Sequence, residues 1–111
     1  MRKWEHWIEV GHLKGLEKNF LFLNRLTESL PRVIANLTKF TDLSLYNNSL
    51  RGNIIKDISH LSQLTILDLG SNKLTGSIPL VIANLSWLVF LYLDGNRFIG
   101  NIPEAIADLN Q

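Results

Sequence analysis

Apolar and polar positions along the chain follow two rhythms at once. Locally, leucines stand two residues apart, as in Leu43-Ser44-Leu45, Leu67-Asp68-Leu69 and Leu91-Tyr92-Leu93. That alternation predicts short strands with one face buried. Between them lies a different texture. Residues 70–86, "GSNKLTGSIPLVIANLS", are too broken by glycine and proline for a helix and too apolar for a loop. The same texture recurs as "FLNRLTESLPRVIANLT" at 22–38, "YNNSLRGNIIKDISHLS" at 46–62 and "DGNRFIGNIPEAIADLN" at 94–110. Each copy is shifted by 24 residues with no insertion. A fixed period of this size signals a repeat architecture.

The repeat divides the chain into an N-terminal flank (1–12), a degenerate repeat or cap (13–36), three regular repeats (37–60, 61–84 and 85–108) and the start of a further one (109–111). Columns of like residues run through the units: Leu37, Leu61 and Leu85; Leu43, Leu67 and Leu91; Ile34, Ile58, Ile82 and Ile106. One unit cannot bury its own leucines, whereas stacked neighbours can, so each unit is predicted to form one coil of a solenoid. Successive strands would lie side by side in a parallel sheet. Asn19 occupies a leucine position, which makes the register of the first unit uncertain from sequence.

The polar columns answer a backbone problem. A coil turning inward leaves N–H and C=O groups without sheet or helix partners, at about 1–3 kcal/mol for each one buried unpaired. Asparagine carries both a donor and an acceptor, so the column Asn24, Asn48, Asn72 and Asn96 is predicted to satisfy the backbone of its own and the next coil. Gly52, Gly76 and Gly100 are predicted to adopt angles closed to other residues. Pro31, Pro79 and Pro103 are predicted to fix an extended entry to the return segment, a position held by Ile55 in the second unit.

With these columns in view, "LSQLTILDLGSNKLTGSIPLVIAN" resembles the plant-type leucine-rich repeat, LxxLxxLxLxxNxLxGxIPxxIxxLxx. The resemblance is close over 37–108 and loose over 13–36. It implies an α/β-type repeat solenoid: a right-handed coil with a short parallel sheet on the concave face and irregular or 3-10 segments on the convex face. It further implies a non-enzymatic recognition module, part of a plant cell-surface receptor or a defence-related protein, whose partner is a peptide or protein. The runner-up readings are a structural or intracellular scaffold fragment without a ligand and a polygalacturonase-inhibitor-like wall protein. An ice-binding solenoid ranks last, because the outward columns are mixed rather than one small residue repeated.

Composition narrows this picture in few places. A net charge of +1 without blocks of like charge gives no reason to expect nucleic acid or an anionic membrane as partner. The apolar runs fall well short of the roughly 20 residues of a membrane helix. Cysteine is absent, which removes disulfides, thiolate metal sites and thiol chemistry, and with them the cysteine-paired cap of secreted relatives; "WEHW" at 4–7 is no more than its remnant. No apolar signal segment follows the basic start. The expected location is nonetheless the cell surface or outside, with the cytoplasm as the alternative. Sequons at Asn36, Asn47 and Asn84 lean toward secretion and are the expected glycosylation sites. Ending three residues into a repeat, the chain reads as a piece of a longer array whose uncapped C-terminal end promotes self-association.

Alternation places the candidate binding residues. Side chains flanking the inward leucines face the concave side: Asp42, Ser44 and Tyr46 in the second unit, Asp68 in the third, Phe90, Tyr92 and Asp94 in the fourth. Aromatics beside carboxylates suit a peptide bearing arginine or lysine. Asp68 and Asp94 fall on adjacent strands, as a hydrolytic carboxylate pair would, but nothing in the sequence encloses a substrate. His6, His12 and His60 have no metal-ligand spacing, and no cofactor is implied.

Overall fold

The computed structural model describes residues 18–20, 29–30 and 32–102. Expectations for the flank 1–12, for Asn24, Pro31 and Pro103 and for the start of the last unit at 109–111 lie outside the described residues.

Among the described residues six short strands and three 3-10 helices follow one another in the order β1-η1-β2-β3-η2-β4-β5-η3-β6. Strands β1 (Lys18–Phe20), β2 (Asp42–Ser44), β4 (Ile66–Asp68) and β6 (Phe90–Tyr92) form a parallel sheet in the order β1-β2-β4-β6. Partners across the sheet differ by 24 residues throughout, as in Asn19↔Leu43, Leu43↔Leu67 and Leu67↔Leu91. The register therefore extends through the first unit, and Asn19 stands in the leucine column. A second parallel pair, β3 (Arg51–Gly52) with β5 (Lys73–Leu74), lies just beyond the turn. Its ladder continues into the fourth unit through Arg97 N–H to Leu74 C=O at 2.8 Å and Ile99 N–H to Gly76 C=O at 3.0 Å.

The return side is built from η1 (Arg32–Asn36), η2 (Lys56–His60) and η3 (Leu80–Asn84). Pro79 enters η3 in extended conformation, with φ −72 and ψ 135. Ile55 enters η2 almost identically, with φ −77 and ψ 149. Proline thus favours a geometry that the stacked coil imposes without it. Each helix ends alike: Leu37, Leu61 and Leu85 donate to Ile34, Ile58 and Ile82, and Phe40, Leu64 and Leu88 donate to Leu37, Leu61 and Leu85, all at 3.0–3.1 Å. These tight turns carry the chain back to the next strand while burying the isoleucine column.

Burial follows the coil count. In one column, Leu30, Ile54, Ile78 and Ile102 are 3, 4, 9 and 58% exposed. Leu45 and Leu69 are fully buried where Leu93 is only partly so, and Leu50 and Leu74 are fully buried where Phe98 is partly so. Each coil is closed by the one after it. In the fourth unit Leu85, Leu88 and Leu91 are nonetheless buried. Among its core columns exposure is greatest at Ile102.

The asparagine ladder forms, with one correction. Asn72 Nδ2 donates to the carbonyls of Leu69 and Gly70 in its own coil and of Leu45 in the preceding coil, each at 3.0 Å, and its Oδ1 accepts from Leu50 N–H at 3.1 Å. Asn96 repeats this with Leu69, Leu93 and Asp94 carbonyls and with Leu74 N–H. The amide therefore reaches back to the preceding coil rather than forward to the next. Asn48 makes the own-coil bond to Leu45 C=O at 3.0 Å.

Candidate concave recognition surface

Across the described strands three columns flank the inward leucines: Asp42, Ile66 and Phe90; Ser44, Asp68 and Tyr92; and, past the strand ends, Tyr46, Gly70 and Asp94. The β spacing of about 4.8 Å between neighbours brings such columns into side-chain contact range.

The columns are not equally accessible. Tyr46, Phe90 and Tyr92 are exposed by 44, 48 and 45%. Phe90 and Tyr92, two apart on β6, share a face as strand alternation requires, with ring centroids 6.2 Å apart and planes 3° from parallel. Asp42 and Ser44, expected at the ligand-facing surface, are buried. Both sit on an interior strand flanked by β1 and β4, and the Asp42 carboxylate accepts from Thr65 Oγ1 at 3.3 Å. Asp42 is thus engaged within the sheet. The accessible surface shifts toward β4 and β6.

There the two remaining carboxylates converge on a glycine. Asp68 Oδ1 accepts from Gly70 N–H at 3.0 Å, which fixes its orientation. A methyl group placed on Gly70 would lie 3.2 Å from Asp68 Oδ1 and 3.3 Å from Asp94 Oδ1. The missing side chain lets both carboxylates lean over the same point. Asp68 is half-buried and Asp94 exposed. Beside them, Tyr92 and Asp94 also rim a cavity of about 450 Å³ at the end of the last described coil, with Ile78, Phe98 and Ile102 along its apolar side. The arrangement is an aromatic shelf, an acidic notch and an apolar trough in one line.

Sequence reasoning missed two features. Asn47 and Ser71 adopt φ of 59 and 54, and Gly95 in the same column adopts 73. A column of asparagine, serine and glycine is a turn-former signal in itself, since asparagine and glycine tolerate this region. The part Gly70 plays depends on where two other side chains point, which no local pattern gives. The sequon residues Asn36, Asn47 and Asn84 are all exposed. Among the described residues no cluster of His, Asp and Glu is placed to hold a metal ion, and no helix is long and apolar enough to cross a membrane.

The leucine rich repeat family model matches residues 39–61, 63–85 and 87–109. Among curated proteins, none matches the chain. Solved structures do. The plant peptide hormone receptor RGFR1, in complex with RGF2, is 40% identical over 86% of this chain and 15% of that one, with a TM-score of 0.79. The ectodomain of the membrane receptor kinase GASSHO1/SCHENGEN3 from Arabidopsis thaliana, in complex with CASPARIAN STRIP INTEGRITY FACTOR 2, is 39% identical over 92% of this chain and 12% of that one, with a TM-score of 0.84. A plant ice-binding protein is 31% identical over 92% of this chain and 33% of that one, with a TM-score of 0.80. The chain spans no more than a third of the length of any of these three.

Proposed function

The chain belongs to the leucine-rich-repeat family, and from that membership we propose that its concave face recognises a peptide or protein ligand as part of a plant cell-surface receptor or defence-related protein. The observation that carries this reading is the accessible group on β4 and β6: the parallel Phe90 and Tyr92 rings beside the convergent Asp68 and Asp94 carboxylates, with Tyr46 across the sheet. An extended segment bearing arginine or lysine fits this chemistry. Its cation would meet both carboxylates, and its aliphatic stem or guanidinium plane would lie on the aromatic faces. Binding hot spots are typically aromatic residues of this kind, surrounded by contacts of small energetic weight.

Similarity to receptors solved with their ligands supports the class of partner, and similarity to receptor ectodomains supports a location at the cell surface or outside. The exposed sequons at Asn36, Asn47 and Asn84 agree with glycosylation there. The exposed Ile99 and Ile102 beside the terminal cavity suit contact with a further coil or a second copy, which is the self-association part of this reading. The ice-binding alternative requires a uniform outward column. Asp42, Ile66 and Phe90 in one column, and Ser44, Asp68 and Tyr92 in the next, are unlike one another in size and polarity.

Selection from a random peptide library tests the proposal. Peptides captured by the parent chain should be rich in arginine or lysine, and Tyr92→Ala, which keeps an exposed site foldable, should lose capture by about 30-fold or more. Captured peptides that bind the parent, Tyr92→Ala and Asp94→Asn alike would place recognition elsewhere.

A further inference from the structure

A second surface, away from the concave cluster, has the chemistry of a sugar site. It lies on the flank where the chain rises from the 3-10 helices to the strands. Trp87, in the turn between η3 and β6, is 69% exposed. With Thr41, Gln63 and Thr65 it lines an open cavity of about 340 Å³. That volume lies at the lower end of the roughly 300–1,000 Å³ typical of small-ligand pockets.

The floor is fixed by the coil ladder. Thr65 N–H donates to Thr41 C=O at 2.7 Å, the one Thr65 hydroxyl proton is shared between that carbonyl at 3.1 Å and the Asp42 carboxylate at 3.3 Å, and Val89 N–H donates to Thr65 C=O at 2.8 Å. Above that floor, the Thr41 hydroxyl and the Gln63 amide make no hydrogen bond among the described residues. The amide offers two donors and an acceptor, and the hydroxyl offers one donor and an acceptor. Among the described residues no charged side chain lines the cavity.

A flat indole left in water, a free amide and a free hydroxyl on a rigid floor match one ligand class well. The C–H face of a pyranose ring is apolar and flat enough to cover an indole, while its equatorial hydroxyls both donate and accept. The described lining offers an ionic ligand no counter-charge, and the exposed indole face favours a ligand with a flat apolar face of its own. We propose that Trp87, Gln63, Thr41 and Thr65 form a binding site for a neutral pyranose, with Trp87 as the stacking platform and Gln63 as the main polar contact.

The test uses the full 111-residue chain and three probes: cellotriose, tri-N-acetylchitotriose and, as an anionic comparator, trigalacturonate. Nuclear magnetic resonance follows the Trp87 indole N–H and the Gln63 side-chain amide during titration. At least one neutral trisaccharide is expected to shift both signals saturably at millimolar concentration, with trigalacturonate markedly weaker. Trp87→Ala should weaken binding, read at Gln63, by about tenfold or more, whereas Trp87→Phe, which keeps a flat face, should retain a measurable part. Because Trp87 is exposed, neither variant threatens the fold. The proposal is overturned if neither neutral trisaccharide shifts these signals, if trigalacturonate binds as tightly, or if Trp87→Ala binds like the parent.

Discussion

At the scale of the residue, Asn72 shows how one side chain couples two coils. Its amide bridges three carbonyls and one N–H in the turns of two successive coils. Asn72→Leu should therefore destabilise the chain by about 1–3 kcal/mol despite adding apolar bulk, while the exposed Asn53→Leu should stay within about 0.5 kcal/mol. Denaturant midpoints of the two variants compare them directly. The glycine column separates two costs. Gly76 (φ 76) and Gly100 (φ 77) share a left-handed conformation, but a side chain on Gly76 would run into Asn53 Oδ1, whereas Gly100 has nothing among the described residues within 4 Å. Gly100→Ala should cost about 1 kcal/mol, from conformation alone. Gly76→Ala should cost more, and Asn53→Ala should recover only the excess. Equal losses at both glycines would remove the steric part of this explanation.

At the scale of the element, much was legible in advance and some was not. The strands were legible because a leucine pair two apart, repeated every 24 residues, admits one inward face. The return helices were legible as irregular turns through their isoleucine and proline columns. The short pair β3 and β5 was not, because Arg51–Gly52 and Lys73–Leu74 are too brief for any period to appear. Nor was the burial of Asp42 and Ser44: alternation gives the face a side chain points to, not whether neighbouring strands cover it. The candidate site was accordingly half legible. Tyr46, Phe90, Tyr92 and Asp94 stand at the surface as expected, while the convergence over Gly70 required three dimensions. The edge of the sheet gives a prediction at single amides. Leu69 and Ser71 N–H donate to Tyr92 and Asp94 carbonyls at 2.9 and 2.8 Å. Their counterparts one coil later, Leu93 and Gly95, have no such acceptor among the described residues. Hydrogen exchange on this chain should find Leu69 and Ser71 protected and Leu93 and Gly95 fast. Equal protection would mean that the outer edge of the last coil is paired rather than open.

At the scale of the whole molecule, stacking sorts the surface by function. The interior of each coil is occupied by the leucine and isoleucine columns, and the turns by asparagine and glycine. Only the outward columns and the flanks are free to vary, and there the chain places its aromatics and carboxylates. The account's central claim is that the face bearing Tyr46, Phe90 and Tyr92 meets the ligand. Hydroxyl-radical footprinting, with and without a peptide selected by the parent chain, reads that face directly, since these three side chains and the distant Leu80 and Ile99 are all exposed enough to react. The account predicts that bound peptide protects Tyr46, Phe90 and Tyr92 and leaves Leu80 on the return side unchanged. Unaltered reactivity of the three aromatics, with protection appearing at Leu80 or Ile99 instead, would contradict it.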